Sequence, residues 1–134
     1  MDLGLKGKII VVSGSAGKAG SIGETIINRL ADEGAIPVLV DRNDRGHGYV
    51  ANLQKRGVDS FFAQTNVTDP VQMENAIKQI VEKYGRIDAV INNVGVNDGA
   101  GLDASYEEFM DSLKLNVVSL FASLAIQAAV KQLF

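Results

Sequence analysis

At 134 residues, 46% hydrophobic and 22% charged, the chain has the size and composition expected of one soluble globular domain with a sizeable core. A formal net charge of -3 offers no basic patch to nucleic acid or an anionic membrane, and the absence of cysteine excludes disulfides, thiolate metal sites and cysteine nucleophiles. The single histidine, His47, is expected in an exposed loop and rules out a histidine-rich metal centre; with no long apolar run to span a membrane or direct secretion, the expected location is the cytoplasm and no metal is expected.

Ile9 to Val12 is a β-branched run that reads as the first strand. The turn SGSAGKAGSIG follows, and after it Ile22, Ile26 and Leu30 recur at helical spacing on one face, with Gly34 as a left-handed stop. Ile36 to Val40 is the second strand and ends at Asp41. Asp44 to Arg56 reads as a helix with few apolar anchors, closed by Gly57, and Ser60 to Ala63 as the third strand. Asp69-Pro70-Val71-Gln72 combines an N-cap, a proline at the first helical position and a capping-box glutamine; Met73, Ile77, Ile80, Val81 and Tyr84 continue that helix to Gly85. Ile87 to Ile91 is the fourth strand. Ser105 with Glu108 forms a second capping box and opens a long helix through Phe109, Leu113, Val117, Leu120 and Leu124, expected to run almost to the last residue.

This alternation predicts one α/β domain, residues 1–134: a parallel sheet with helices on both faces, three layers in all. No second set of strands follows the fourth, so an edge or face is left without its neighbours, which predicts a homo-oligomer.

A glycine turn between strand and helix lets the backbone approach a pyrophosphate, whose charge the amides and helix dipole favour; it can also merely join a strand to a helix. The P-loop pattern fails twice, with Val12 where a glycine is needed and Ala19 where serine or threonine is needed, despite Lys18. A dinucleotide turn requires an acidic residue at the end of the next strand to accept ribose hydroxyls, and Asp41 stands there, 18 residues beyond Gly23. Its carboxylate repels a 2′-phosphate, so NAD is favoured over NADP; Arg42 either pairs with such a phosphate or is a solvated surface arginine.

SGSAGKAGSIG after the first strand, Asp41 after the second, NVTD after the third, NNVG after the fourth and LKLNVV in the next helix together resemble the short-chain dehydrogenase/reductase family over essentially the whole chain. The resemblance implies a Rossmann-type fold, of which this chain carries the part before the C-terminal half, a nicotinamide cofactor, an alcohol or sugar substrate, and an oligomer built on the long helix. The cofactor contacts it implies are Gly14, Ser15, Gly17, Lys18, Ser21, Ile22 and Gly23 in the turn, Asp41 and Arg42, Asn66 and Val67 beside the adenine, and Asn92, Val94 and Gly95 lining the nicotinamide side. Asn66 stands where the family has an aspartate, and Asn93 and Val94 fall within its NNAG segment. Asn116 matches the asparagine of the catalytic tetrad. The tetrad's other members, a serine and a tyrosine four residues before a lysine, have no counterpart: Tyr49, Tyr84 and Tyr106 are followed at that spacing by Leu53, Asp88 and Met110. The chain alone is therefore expected to be inactive. MDLGLKGK, ADEGAIPV and NNVGVNDGAGLDAS resemble the L-fucose dehydrogenase-like subgroup, in which Asn97, Asp98 and Gly99 would edge the substrate cleft; a turn rich in Asn, Asp and Gly accounts for the same residues.

The turn is three residues longer than the family's. Either Ala16 to Ala19 bulge outward and bring Lys18 to the phosphates, the preferred arrangement, or the frame slips so that Gly17, Ser21 and Gly23 take the three glycine positions.

Overall fold

The computed structural model describes residues 1–96 and 98–123. Four strands, β1 (Ile9–Ser13), β2 (Ile36–Asp41), β3 (Phe61–Gln64) and β4 (Ala89–Asn92), form one parallel sheet in the order β3-β2-β1-β4. Helices α1 (Ile22–Asp32), α2 (Arg45–Lys55) and α3 (Pro70–Tyr84) connect them, and α4 (Tyr106–Leu113) follows β4. This is a Rossmann-like α/β fold.

The burial explains the sequence pattern. Every residue of β1 is buried, because its alternate side chains enter two different cores. Val11, Val38 and Val40 pack with Met73, Ile77 and Ile80 of α3. Val12, Leu39 and Phe62 pack on the opposite face with Ile27 and Leu30 of α1 and Leu53 of α2. The three-layer expectation follows directly. By contrast every residue of the edge strand β4 is only partly buried. On α4 and the residues after it, Tyr106, Phe109, Val117 and Phe121 expose large apolar surface.

Asp88 ties the start of β4 to β1. Its Oδ2 accepts from the Ile9 N–H at 2.8 Å and from Arg86 Nε at 3.0 Å, and Lys8 lies 3.9 Å from Oδ1. Burial pushes this carboxyl up, but the Ile9 N–H, Arg86 and Lys8 together hold it below the usual carboxylate value.

Several local expectations are corrected. α1 buries Gly23, Ile27, Leu30 and Ala31, not Ile22, which is 72% exposed because it opens the first turn beside solvent. The third strand starts after Ser60, and the fourth after Asp88: Ile87 is a core residue beneath the sheet, and Asp88 N donates to Ile9 O before the ladder begins. His47 is exposed, yet it lies within α2 with its ring edge-on to Phe62 at 4.8 Å. Asp69 caps α3 by accepting from Val71 N and Gln72 N, but the Gln72 side-chain oxygen Oε1 accepts from Asn66 N, so there is no capping box. The Ser105–Glu108 box is complete. The helix it opens is interrupted by a π-helical turn at Lys114–Val118 before helical residues 119–123; Leu124 and the expected run to the end lie outside the described residues.

Candidate functional site

The strand order reverses between β1 and β4, and an open parallel sheet leaves a crevice beyond the carboxyl ends of its strands at such a point. A cleft of about 280 Å³ lies there. All four strand ends supply its walls: Gly14, Ala16 and Gly17 after β1; Asp41, Arg42, Asn43 and Arg45 from the end of β2 to the start of α2; Thr65, Asn66 and Val67 after β3; Asn93, Val94, Gly95 and Val96 after β4. Leu115 completes it.

The glycine turn is shaped by close backbone approach. Gly14 has φ +63 and donates to Val40 O at 3.0 Å; a Cβ there would sit 2.8 Å from Asn93 O. Gly23 presses the first turn of α1 onto the same place. A Cβ on it would collide with Gly14 O and lie 2.9 Å from Ser15 Cα. Asn93 closes the junction, its Nδ2 donating to Gly14 O at 2.8 Å and its N–H to Ser13 Oγ at 3.3 Å.

Asp41 stands at the centre of one wall. Its Oδ2 accepts from Ala16 N at 2.8 Å and its Oδ1 from Asn43 N at 2.9 Å. A carboxylate offers about four acceptor positions, so each oxygen keeps capacity for a further donor. Arg45 Nε donates to Ala16 O at 3.3 Å, and Tyr49 Oη donates to Gly17 O at 2.7 Å. After the neighbouring strand β3, where Thr65 N donates to Asp41 O at 2.8 Å, Asn66 Oδ1 accepts from the Thr68 N–H and hydroxyl, while Val67 is buried.

Of the expected cofactor residues, Gly14, Gly17, Asp41, Arg42, Asn66, Val67, Val94 and Gly95 line the cleft together, whereas Ser15, Lys18, Ser21, Ile22, Gly23 and Asn92 do not. The outward bulge is Lys18 to Gly20, not Ala16 to Ala19: Ala16 is 1% exposed and faces inward, and exposed Lys18 accepts at its carbonyl from Ser21 N. Ser15 is fully buried, with a hydroxyl that has no partner among the described residues. Ser21 caps α1, accepting from Glu24 N. Gly14 and Gly17 both border the cleft, while Ser21 and Gly23 do not.

Asn116 sits in the π-helical turn beneath the β4 loop. Its Oδ1 accepts from Val96 N at 2.9 Å, and its Nδ2 donates to Ser112 O at 3.0 Å, the carbonyl that an uninterrupted α-helix would give to the Asn116 N–H. Asp98 and Gly99 lie in a separate acidic depression with Asp103, Glu108 and Asp111, away from the cleft, and Asn97 lies outside the described residues. Among the described residues no metal-ligating cluster of three or more His, Cys, Asp or Glu forms, and no helix is long and apolar enough to cross a membrane.

Ala16, within SGSAGKAGSIG, Asn93, within the NNVG segment, and Leu115, within LKLNVV, line the cleft as members of motifs visible in the sequence. Asn43, Arg45, Thr65 and Val96 reach it through tertiary placement.

The model of the short chain dehydrogenase family matches residues 8–133. "Short-chain dehydrogenase reductase 3a" of Arabidopsis thaliana is 35% identical over 117 residues, covering 86% of this chain and 44% of that protein. A "2,5-dichloro-2,5-cyclohexadiene-1,4-diol dehydrogenase LinX" of Sphingobium indicum is 31% identical over 131 residues, covering 96% of this chain and 50% of its own. A short-chain dehydrogenase from Burkholderia cenocepacia, solved in complex with NADP, superposes with a TM-score of 0.83 at 27% identity, over 93% of this chain and 51% of that one. The chain thus spans about half the length of the relatives it matches. None of these three is named as a sugar dehydrogenase, and they give the L-fucose subgroup likeness no support. With that family model matching residues 8–133, nearly the whole chain, the chain belongs to the short-chain dehydrogenase family.

Proposed function

We propose that this chain supplies the cofactor-binding half of an oxidoreductase that moves a hydride between a nicotinamide dinucleotide, NAD in preference to NADP, and an alcohol or sugar carbon. Asp41 carries the reading. Among the described residues it is the one carboxylate lining the cleft, and it borders the glycine turn with acceptor capacity to spare for two vicinal hydroxyls. The residues present fit the group. Thr65, Asn66 and Val67 would hold the adenine, the backbone of Gly14, Ala16 and Gly17 would face the pyrophosphate, and Val94 to Val96 would border the nicotinamide side. When bound, the dinucleotide accepts or gives up the hydride.

The chain's own residues orient it. The amides of Ile22 and Gly23 in the first turn of α1 have no helix carbonyl within reach and add positive potential toward the turn. Asn116, spent on Val96 N and Ser112 O, holds the segment after β4 in place. Arg42 and Arg45 beside Asp41 are the features that favour NADP instead, the cofactor present in the Burkholderia structure.

A second reading, a non-catalytic dinucleotide-binding or assembly module, draws support from the exposed apolar surface of Tyr106, Phe109 and Phe121. That surface also supports a homo-oligomer, and the composition supports a single domain in the cytoplasm.

Thermal unfolding of the 134-residue chain tests the binding role common to both. A ligand that binds the folded state alone raises the melting temperature by mass action. NAD should raise it more than NADP at equal concentration; no rise with either contradicts the proposal.

A further inference from the structure

Between Gly14 and Ser21 the chain runs without regular structure, and each added loop residue enlarges the set of conformations available to it. Both backbone polar groups of Ala16 are nonetheless engaged, its N–H by Asp41 Oδ2 and its carbonyl by Arg45 Nε. Gly17 is held next. Its carbonyl accepts from Tyr49 Oη at 2.7 Å, 32 residues away on α2, and a Cβ on it would sit 2.7 Å from Ser21 Oγ. On the outer side Ser21 N closes onto Lys18 O and Gly20 N donates to Glu24. The excess length is thereby confined to exposed Lys18, Ala19 and Gly20, while Ala16 and Gly17 face the cleft.

Resting on the dinucleotide reading, we propose that Tyr49 is a positioning residue for pyrophosphate recognition: its hydroxyl latches the lengthened glycine turn so that Ala16 and Gly17 present their backbone to the cleft. Tyr49 does not itself line the cleft, so it acts through Gly17. Burial first and the Glu24 carboxylate second push its phenol above the ordinary value, against Arg45. The ring and the hydroxyl have separable jobs. The Tyr49 ring is partly buried against the core cluster that includes Leu53 and Phe62, and Tyr49→Phe preserves that packing while removing the latch.

Calorimetric titration of the 134-residue chain with ADP-ribose and with adenosine, which lacks the pyrophosphate, tests the proposal. Tyr49→Phe should bind ADP-ribose about five- to tenfold more weakly, the fold-change of one ordinary hydrogen bond, and adenosine within about twofold of wild type. Hydrogen exchange should quicken at the amides of residues 16–21. Wild-type binding of neither ligand would overturn the dinucleotide reading and the latch with it. If wild type binds both ligands, equal ADP-ribose affinity and unchanged exchange in Tyr49→Phe overturn the latch alone. Proportional weakening of both ligands also overturns it, because that marks general loosening instead of a pyrophosphate effect.

Discussion

Asp41→Ala is expected to erase the preference for NAD over NADP and to weaken NAD binding by about 10- to 100-fold, the range of hydrogen bonds to a charged acceptor. Two effects combine. The carboxylate disappears as acceptor for the ribose hydroxyls, and the Ala16 N–H loses the oxygen 2.8 Å away that holds the inner turn. Asp41→Asn separates them, because its amide oxygen can still accept from Ala16 N while the negative charge is gone. In that variant NADP should gain relative to NAD through lost repulsion of the 2′-phosphate, with Arg42 and Arg45 still in place. Calorimetry with both cofactors on the three proteins reads this directly. An unchanged NAD-to-NADP ratio in both variants would remove Asp41 from the recognition of the ribose.

Gly23→Ala should be the costliest single-carbon change in the site. Overpacking typically costs 1–3 kcal/mol, and here a loss of about 2–3 kcal/mol is expected, because the new Cβ meets backbone at Gly14 O and Ser15 Cα, which no rotamer change can relieve. For a chain of this size that corresponds to a melting temperature lower by about 8–12 °C. The start of α1 must back away from the glycine turn, so NAD binding should fall as well. Gly48→Ala is the control. It lies inside α2 with nothing within 4 Å of its added Cβ, and the gain in helix propensity should stabilise by about 0.5–1 kcal/mol. Unfolding curves for both variants check the pair; a Gly23→Ala protein as stable as wild type would refute the close approach at Gly14.

What was legible in the sequence was whatever local chemistry determines. β-branched or aromatic runs marked the strands, Asp69 and Ser105 marked helix starts, and the acid at the end of β2 marked one wall of the cleft. Long-range geometry was not legible. Ile22 fits a helical apolar stripe as well as Ile27 does, and only the docking of α1 through Gly23 decides that Ile27 is buried. Gln72 has the spacing of a capping box, but Asn66 N competes for its oxygen from six residues upstream. The π-helical turn depends on Asn116 reaching Val96, and the shape of the glycine turn on Arg45 and Tyr49 reaching back across 29 and 32 residues. Such partners leave no periodic trace in the chain.

The most direct measurement is an NMR titration of the 134-residue chain with NAD, following backbone amides. The cleft reading expects saturable shifts at Gly14 to Gly23, Asp41 to Asn43, Thr65 to Val67 and Asn93 to Val96, with the acidic depression of Asp98 to Asp111 unmoved. Shifts confined to that depression, or none at any NAD concentration, would contradict it.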